Sequence, residues 1–291
     1  MPSIARPRRS VLYMPGSNPR ALAKGKELPA DALILDLEDA VAPDAKAAGR
    51  EAIRAALADK ASYGHRELAV RVNGLDTAWG HADLAAMATA GADAVLLPKV
   101  ESADIVRRAV AVLDAAGAPA TLPIWCMMET PRGVLHAEAI ADHPRVGCFV
   151  MGTSDLTKDL LARHTAQRLP MLPSLGICLL AARAAEIAIV DGVYLDLDDA
   201  EGFAASCEQG RDLGFDGKTL IHPKQIAAAN DAFGPSAEAV ALARRQIDAY
   251  EQALAAGQGV AVLDGKLVEN LHVVEAKRLV ALAEAIAARE G

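Results

Sequence analysis

Short apolar runs alternate along the chain with longer segments of helical spacing. The runs are Val11–Met14, Ala32–Leu37, Leu68–Val72, Ala94–Leu97, Leu122–Met128, Val146–Met151, Ile187–Leu195 and Thr219–Ile221. Between them lie Ala-rich stretches such as Asp44–Leu57, Ala82–Ala90 and Ala103–Ala115. Buried-type strands separated by amphipathic helices predict parallel βαβ units. Eight such runs in this order predict an α/β fold, a closed (β/α)8 TIM barrel rather than an open sheet. The seventh run is the weakest strand, because Ile187–Val190 can also close the preceding helix.

The pattern changes after Phe233. Gly234-Pro235-Ser236 starts a helix predicted over Ala237–Ala256, and Gly257 ends it. Asp264-Gly265 between apolar residues predicts a hairpin, and a last helix is predicted over about Leu271–Ala288. The expected organisation is a barrel domain over 1–233 and a C-terminal helical extension over 234–291. That extension exceeds what eight barrel units need, so it is expected to pack on a neighbouring subunit or to cover a site.

Composition narrows the function. The chain has 291 residues, 30 Lys+Arg against 38 Asp+Glu, and a net charge of −8. This acidity argues against sequence-independent nucleic-acid binding. Apolar residues make up 52%, enough for a large core. No run reaches the ~20 apolar residues of a membrane helix. The basic start, Met1 to Arg9, is followed by no apolar signal core, so no signal peptide is expected. Cys126, Cys148, Cys178 and Cys207 are scattered without metal spacing, which fits reduced thiols and a cytoplasmic location.

In a (β/α)8 barrel the chemistry sits at the C-terminal strand ends. Here those ends deliver Pro15-Gly16-Ser17, Asp36, Glu38, Asp39, Arg71, Asn73, Lys99, Glu101, Glu129, Ser154, Asp155, Asp196, Asp198 and His222. Some polar residues are expected there simply because solvent begins, but that explains Glu129 poorly, since it leaves the run Trp125–Met128. Glu129 and Asp155 follow neighbouring strands with no His or Cys beside them. Such a carboxylate pair suits Mg2+, or it is salt-bridged to Arg71 and Lys99. A buried Arg71 needs a partner, either a substrate oxygen or Glu38. Alternation puts Asp36 and Glu38 on one side of an extended segment, placed to hold Arg71 and Lys99 or to act as a metal box. Gly16-Ser17-Asn18-Pro19-Arg20 opens a helix with Lys24 one turn on, a phosphate site or a capped surface helix. His222 closes the last strand as an acid–base group or, the favoured reading, as a residue that shapes its loop.

Several motifs recur in order: Arg9–Ser17, Leu33–Val41, Arg71-Val72-Asn73-Gly74, Leu97–Ser102, Met128-Glu129-Thr130-Pro131-Arg132-Gly133, Gly152-Thr153-Ser154-Asp155-Leu156 and Ile221–Ile226. Together they resemble the citrate lyase beta-subunit-like proteins, which include malyl-CoA and citramalyl-CoA lyases, within the HpcH/HpaI aldolase superfamily. The resemblance implies a trimer or hexamer, with Mg2+ on Glu129 and Asp155 and Arg71 on the reacting oxygens. It implies an α-keto-acid pocket at Ser154 and Asp155, and CoA across Tyr13 and Lys24 with Asn18 or Arg20 near its phosphates. The implied reaction is reversible Claisen-type C–C cleavage of a 3-hydroxyacyl-CoA to acetyl-CoA and an α-keto acid or glyoxylate. In the malyl-CoA lyases an Asp from a neighbour's C-terminal segment is the acid–base group, and the residue here is Glu269. The longer side chain opens a rival outcome, attack of water on the thioester. A citrate lyase beta subunit acting on a carrier-bound thioester is a second rival, and a non-catalytic assembly subunit is a third.

Overall fold

The computed structural model describes residues 6–290. The signal-peptide expectation begins at residues 1–5, which lie outside the described residues. Eight strands alternate with helices: β1 (Ser10–Pro15), β2 (Ala32–Asp36), β3 (Glu67–Arg71), β4 (Ala94–Leu97), β5 (Ile124–Met128), β6 (Val146–Met151), β7 (Ala188–Val190) and β8 (Lys218–Leu220). Strands β1 to β7 pair in parallel with their sequence neighbours, and β8 pairs in parallel with β1. Between β7 and β8 an Asp191–Lys218 bridge brings the ring round. There the Asp191 N–H donates to the Gly217 carbonyl at 2.8 Å and the Thr219 N–H to the Asp191 carbonyl at 2.9 Å. The (β/α)8 TIM barrel expected from the apolar periodicity is the fold observed.

The seventh run is much shorter than expected, three residues in place of Ile187–Leu195. Its continuation turns across the barrel mouth at Gly192. A Cβ there would lie 2.5 Å from Thr153 Oγ1, so only glycine lets the chain pass so close.

Strand alternation sorts the apolar side chains into two shells. The inner shell comes from strands alone: Val11, Ala32, Ile34, Ala69, Ala94, Leu96, Trp125, Met127, Cys148, Val150, Ala188 and Val190. Four alanines leave room for the one large ring, Trp125, which is fully buried. Below it Arg8 forms a bidentate pair with Glu67 at 2.6 and 2.9 Å, and its guanidinium lies 5.2 Å from the Trp125 ring centre. The outer shell, with Leu33, Leu35, Leu68 and Val70 among its strand members, packs against the helices.

Residues Arg8–Phe233 form this compact unit, and 234–290 with 6–7 form another. In the second, Ser236 Oγ caps the helix Ala237–Ala255. The hairpin β9 (Ala261–Leu263) and β10 (Lys266–Val268) turns at Asp264 and Gly265, whose φ values are +51° and +75°. Both central residues are left-handed, as a two-residue type I′ turn requires. A helix over Asn270–Glu290 follows, and Tyr250, Ala253, Ala261, Val268 and Val273 make a small core. Among the described residues no helix is long and apolar enough to cross a membrane. All four cysteines are buried free thiols.

At the β7/β8 seam the carboxylate of Asp191 is fully buried between Lys218 Nζ at 2.8 Å and Arg168 Nη1 at 2.7 Å. Burial opposes its charge, but the two cations and their hydrogen bonds win and hold the carboxyl below its ordinary value. A depressed folded pKa gives stability that is present above the unfolded value, about 3.9, and is lost as pH falls through the folded one. Asp191→Asn leaves the Lys218 ammonium buried and unpaired, which costs about 3–5 kcal/mol. Urea unfolding should show that loss at pH 7 and a smaller gap between variant and wild type at pH 3. An unchanged midpoint at pH 7 would remove the ion cluster from the account of the seam.

Candidate active site

The C-terminal ends of the strands surround a cavity of about 400 Å3. Its floor is built by strand register. Asp36 and Arg71 are directly paired positions on β2 and β3, so their side chains leave the sheet on the same side. The guanidinium chelates Asp36, Nε to Oδ1 at 2.7 Å and Nη2 to Oδ2 at 2.6 Å. Its carbon lies 5.0 Å from the Tyr13 ring centre. Nη1 approaches Glu38 Oε2 at 2.8 Å and Asp39 Oδ2 at 3.5 Å. The Glu38 contact is ionic without being a hydrogen bond, since Oε2 accepts no aligned N–H. Burial opposes the Arg71 charge, and the Asp36 bonds more than restore it, so the group stays protonated.

Glu38 extends the network upward. Its Oε1 accepts from Lys99 Nζ at 2.8 Å, and the Lys99 backbone N–H donates to Glu129 Oε1 at 2.7 Å. Lys99 makes both contacts from a left-handed backbone, φ +48°. Burial pulls the Lys99 ammonium down, but the Glu38 hydrogen bond and the charges of Glu38 and Glu129 raise it to about 12. Burial keeps the Glu38 carboxyl above its ordinary value despite both cations. Glu129 itself is buried, and burial together with the Glu38 charge pushes its carboxyl up to about 7.

Glu129 follows β5 directly, whereas Asp155 sits in the first turn of the helix Thr153–Asp159 after β6. Both line the cavity, as do Tyr13, Asp36, Asp39, Arg71 and Ser154. Neutralisation of both carboxylates by Arg71 and Lys99 does not describe the site. Asp155 pairs with Lys158 at 2.8 Å, and Glu129 takes a backbone N–H. Asp36, Asp39, Glu129 and Asp155 therefore line the cavity against a single lining cation, Arg71. No group of three His, Cys, Asp or Glu side chains converges among the described residues. Two hard carboxylates in a strongly acidic cavity fit Mg2+, which is often held by one or two carboxylates, with waters and substrate oxygens completing its shell.

Pro15 also lines the cavity, whereas Lys24, Asn73, Glu101, Asp198 and His222 of the barrel do not. Lys24 is exposed in the last turn of the helix Pro19–Gly25, whose start is capped by Asn18 Oδ1. His222 Nδ1 accepts from the Lys224 N–H at 3.1 Å, as expected of a loop-shaping residue. Glu101 faces Arg132 at 3.8 Å, Asn73 binds Asp83, and Asp198 faces Lys224. Glu269 is partly buried ahead of the last helix, and its N–H donates to His272 Nδ1 at 3.0 Å.

Two supporting residues escape sequence reasoning. Lys46, buried on the helix after β2, donates to the carbonyls of Leu37 at 2.8 Å and Glu38 at 2.7 Å, holding the segment that aims Glu38. A lysine in a first helical turn gives no hint of this. Gly152 is visible only as part of a motif. A Cβ there would lie 2.3 Å from Glu129 Cβ and 2.5 Å from Oε2, so the carboxylate occupies the space glycine leaves.

A polar cavity at the carboxyl ends of parallel strands is where (β/α)8 enzymes hold substrate, and this chain has that form. Residues 9–223 match the HpcH/HpaI aldolase/citrate lyase model, and the chain belongs to that family. It is 56% identical over 285 residues to the (3S)-malyl-CoA thioesterase of Cereibacter sphaeroides strain ATCC 17023, covering 98% of this chain and 97% of that protein. It is 35% identical over 291 residues to the citrate lyase subunit beta of Escherichia coli K12, covering 98% and 96%. Among solved structures it is similar to the protein CitE of Mycobacterium tuberculosis in complex with magnesium, acetoacetate and coenzyme A. There the TM-score is 0.78 and the identity 30%, over 96% of this chain and 99% of that one.

The close approach at Gly152 gives a direct test. Gly152→Ala should displace the Glu129 carboxylate and leave the barrel folded. Magnesium-induced thermal stabilisation should then vanish and turnover fall at least ~10-fold. A variant that keeps both would show that the cavity tolerates a shifted Glu129.

Proposed function

We propose that the chain is a Mg2+-dependent enzyme acting on malyl-CoA-type hydroxyacyl-CoA thioesters, and that its principal outcome is hydrolysis to free CoA and the hydroxy acid. The observation that carries the substrate class is the arrangement of Arg71, fixed by Asp36, across the same cavity as Glu129 and Asp155. Hydrolysis is favoured by the 56% identity to a (3S)-malyl-CoA thioesterase along almost the whole chain. Family-level similarity to citrate lyase beta subunits supports a second reading, C–C cleavage to acetyl-CoA and glyoxylate or an α-keto acid.

Glu129 and Asp155 would hold the ion. When bound, Mg2+ supplies Lewis-acid polarisation and a template for the acid's carboxylate and neighbouring oxygen. Arg71 uses two of its five N–H groups on Asp36, which leaves others for a substrate oxygen. In hydrolysis that oxygen is the thioester carbonyl, which becomes anionic as water adds and before the C–S bond breaks. In C–C cleavage it is the enolate oxygen. Either way a guanidinium already locked in place needs no reorganisation as charge develops. Ser154 borders the acid pocket. Tyr13 lines the cavity, while Arg20 and Lys24 are exposed cations for the CoA phosphates. Glu269 is the proposed acid–base group, delivered by the C-terminal segment of a neighbouring chain in a homotrimer or homohexamer.

Products decide the reaction. Purified protein incubated with (3S)-malyl-CoA and Mg2+ should release CoA and malate without glyoxylate. Equimolar acetyl-CoA and glyoxylate would establish the lyase reading, and no turnover of free CoA esters would point to a carrier-bound substrate. Arg71→Lys keeps the charge but loses the planar fork, so kcat should fall more than KM rises. A change in KM alone would assign Arg71 to ground-state binding.

Glu269→Gln removes the ionisable group at nearly constant volume. Turnover should fall ~100-fold or more with CoA binding unchanged, as for a general acid–base residue. Mixing Glu269→Gln chains with Asp155→Ala chains should restore part of the activity if each site is built from two chains. Near-normal turnover by Glu269→Gln would leave the carboxylate as a partner of the adjacent helix N-terminus.

A further inference from the structure

A second cavity of about 360 Å3 lies beside the first and shares Thr153 and Val193 with it. Its lining is opposite in charge. Arg163, His164 and Arg168 stand against one carboxylate, Asp196, and Asp196 Oδ1 already accepts from the N–H groups of Asp198 and Asp199 at 3.0 and 3.3 Å.

Two buried polar groups of this lining have nothing to bond. Ser206 is 4% exposed, and its Oγ has no hydrogen-bond partner among the described residues. Arg168 spends Nη1 on both oxygens of Asp191 at 2.7 Å and Nε on Gln209 at 2.6 Å, but its Nη2 is buried without a partner. Asp191 is also shared with Lys218, so this ion cluster carries one positive charge in excess. Buried donors and buried cations are costly unless they are satisfied. Arg163 and His164, by contrast, are exposed. The cavity thus has guanidinium groups at two levels of burial, Arg168 within and Arg163 beside the His164 imidazole outside, with apolar wall from Met171 and Leu195.

We propose that this second cavity binds a small dicarboxylate. One carboxylate takes the Arg168 and Ser206 donors, which are covered in this structure and are reached by a small shift of the side chains over them. The other lies toward Arg163 and His164, and the short carbon chain rests on the apolar wall. The identity of the acid rests on the proposed function, because hydrolysis next door releases a molecule of this class and the two cavities share a wall. Occupancy would let the free acid regulate its own production.

The test is calorimetric titration of the full-length protein with malate in EDTA, with inorganic phosphate as a parallel arm. Wild type should bind malate at least tenfold more tightly than phosphate. The surface double variant Arg163→Gln/His164→Gln should weaken malate binding at least tenfold, and Ser206→Ala should weaken it too, with circular dichroism unchanged. Absence of malate binding, or binding equal in wild type and both variants, would overturn the proposal and leave the orphan donors to ordered water. Phosphate binding as tight as malate would overturn the dicarboxylate assignment. The two readings fail separately. Malate binding that responds to the variants without turnover of malyl-CoA sinks only the proposed function. Turnover with unresponsive malate binding sinks only this site.

Discussion

The mouth of the barrel is organised by a guanidinium that has to be neutralised. Arg71 is buried at the C-terminal end of β3, and an unpaired charge there would cost more than most single contacts contribute. Register places Asp36 beside it, and the bidentate pair fixes the planar group in one orientation. The rest follows outward. Glu38 meets both Arg71 and Lys99, and Lys99 turns its N–H onto Glu129. A run of alternating charges therefore connects the floor of the cavity to the carboxylate proposed to hold the metal. Its overall balance is negative, which suits the proposed cation.

Much of this is legible in the sequence, for reasons of period and cost. Parallel strands buried on both faces read as apolar runs, and a buried arginine advertises a partner. The two-residue alternation of Asp36 and Glu38 turns both carboxylates to one side, where both meet Arg71 and Glu38 alone meets Lys99. Asp36 is the stronger partner, because its strand position is level with Arg71 while Glu38 lies beyond the ladder. The extent of β7 is illegible, since the apolar residues after Val190 serve the cavity walls and surface rather than the sheet. Lys46 and Gly152 are illegible in a different way. Their roles depend on which distant segment passes within a few ångströms, and no local pattern encodes that.

Family membership and chemistry separate at this point. A shared barrel fixes where substrate lies, but the reaction depends on which atom attacks and which proton moves. In the proposed reading, hydrolysis and C–C cleavage of one hydroxyacyl thioester would make the same demands on Arg71 and on the carboxylate pair. They differ in whether water reaches the carbonyl or the hydroxyl proton is removed. The first passes through a tetrahedral oxyanion and the second through an enolate, so the reach of the proposed acid–base carboxylate would bear on which is formed.

The left-handed backbone of Lys99 has a consequence for how this chain can change. Most residues avoid that conformation, and glycine adopts it freely. Glycine would ease the backbone and still present an N–H to Glu129, but it would abandon Glu38. Any other side chain keeps the conformational burden without the ammonium. One residue therefore serves two masters through different atoms, and improvement for either is blocked by the other. Such a position is a ratchet: once both contacts depend on it, single substitutions lead only downhill.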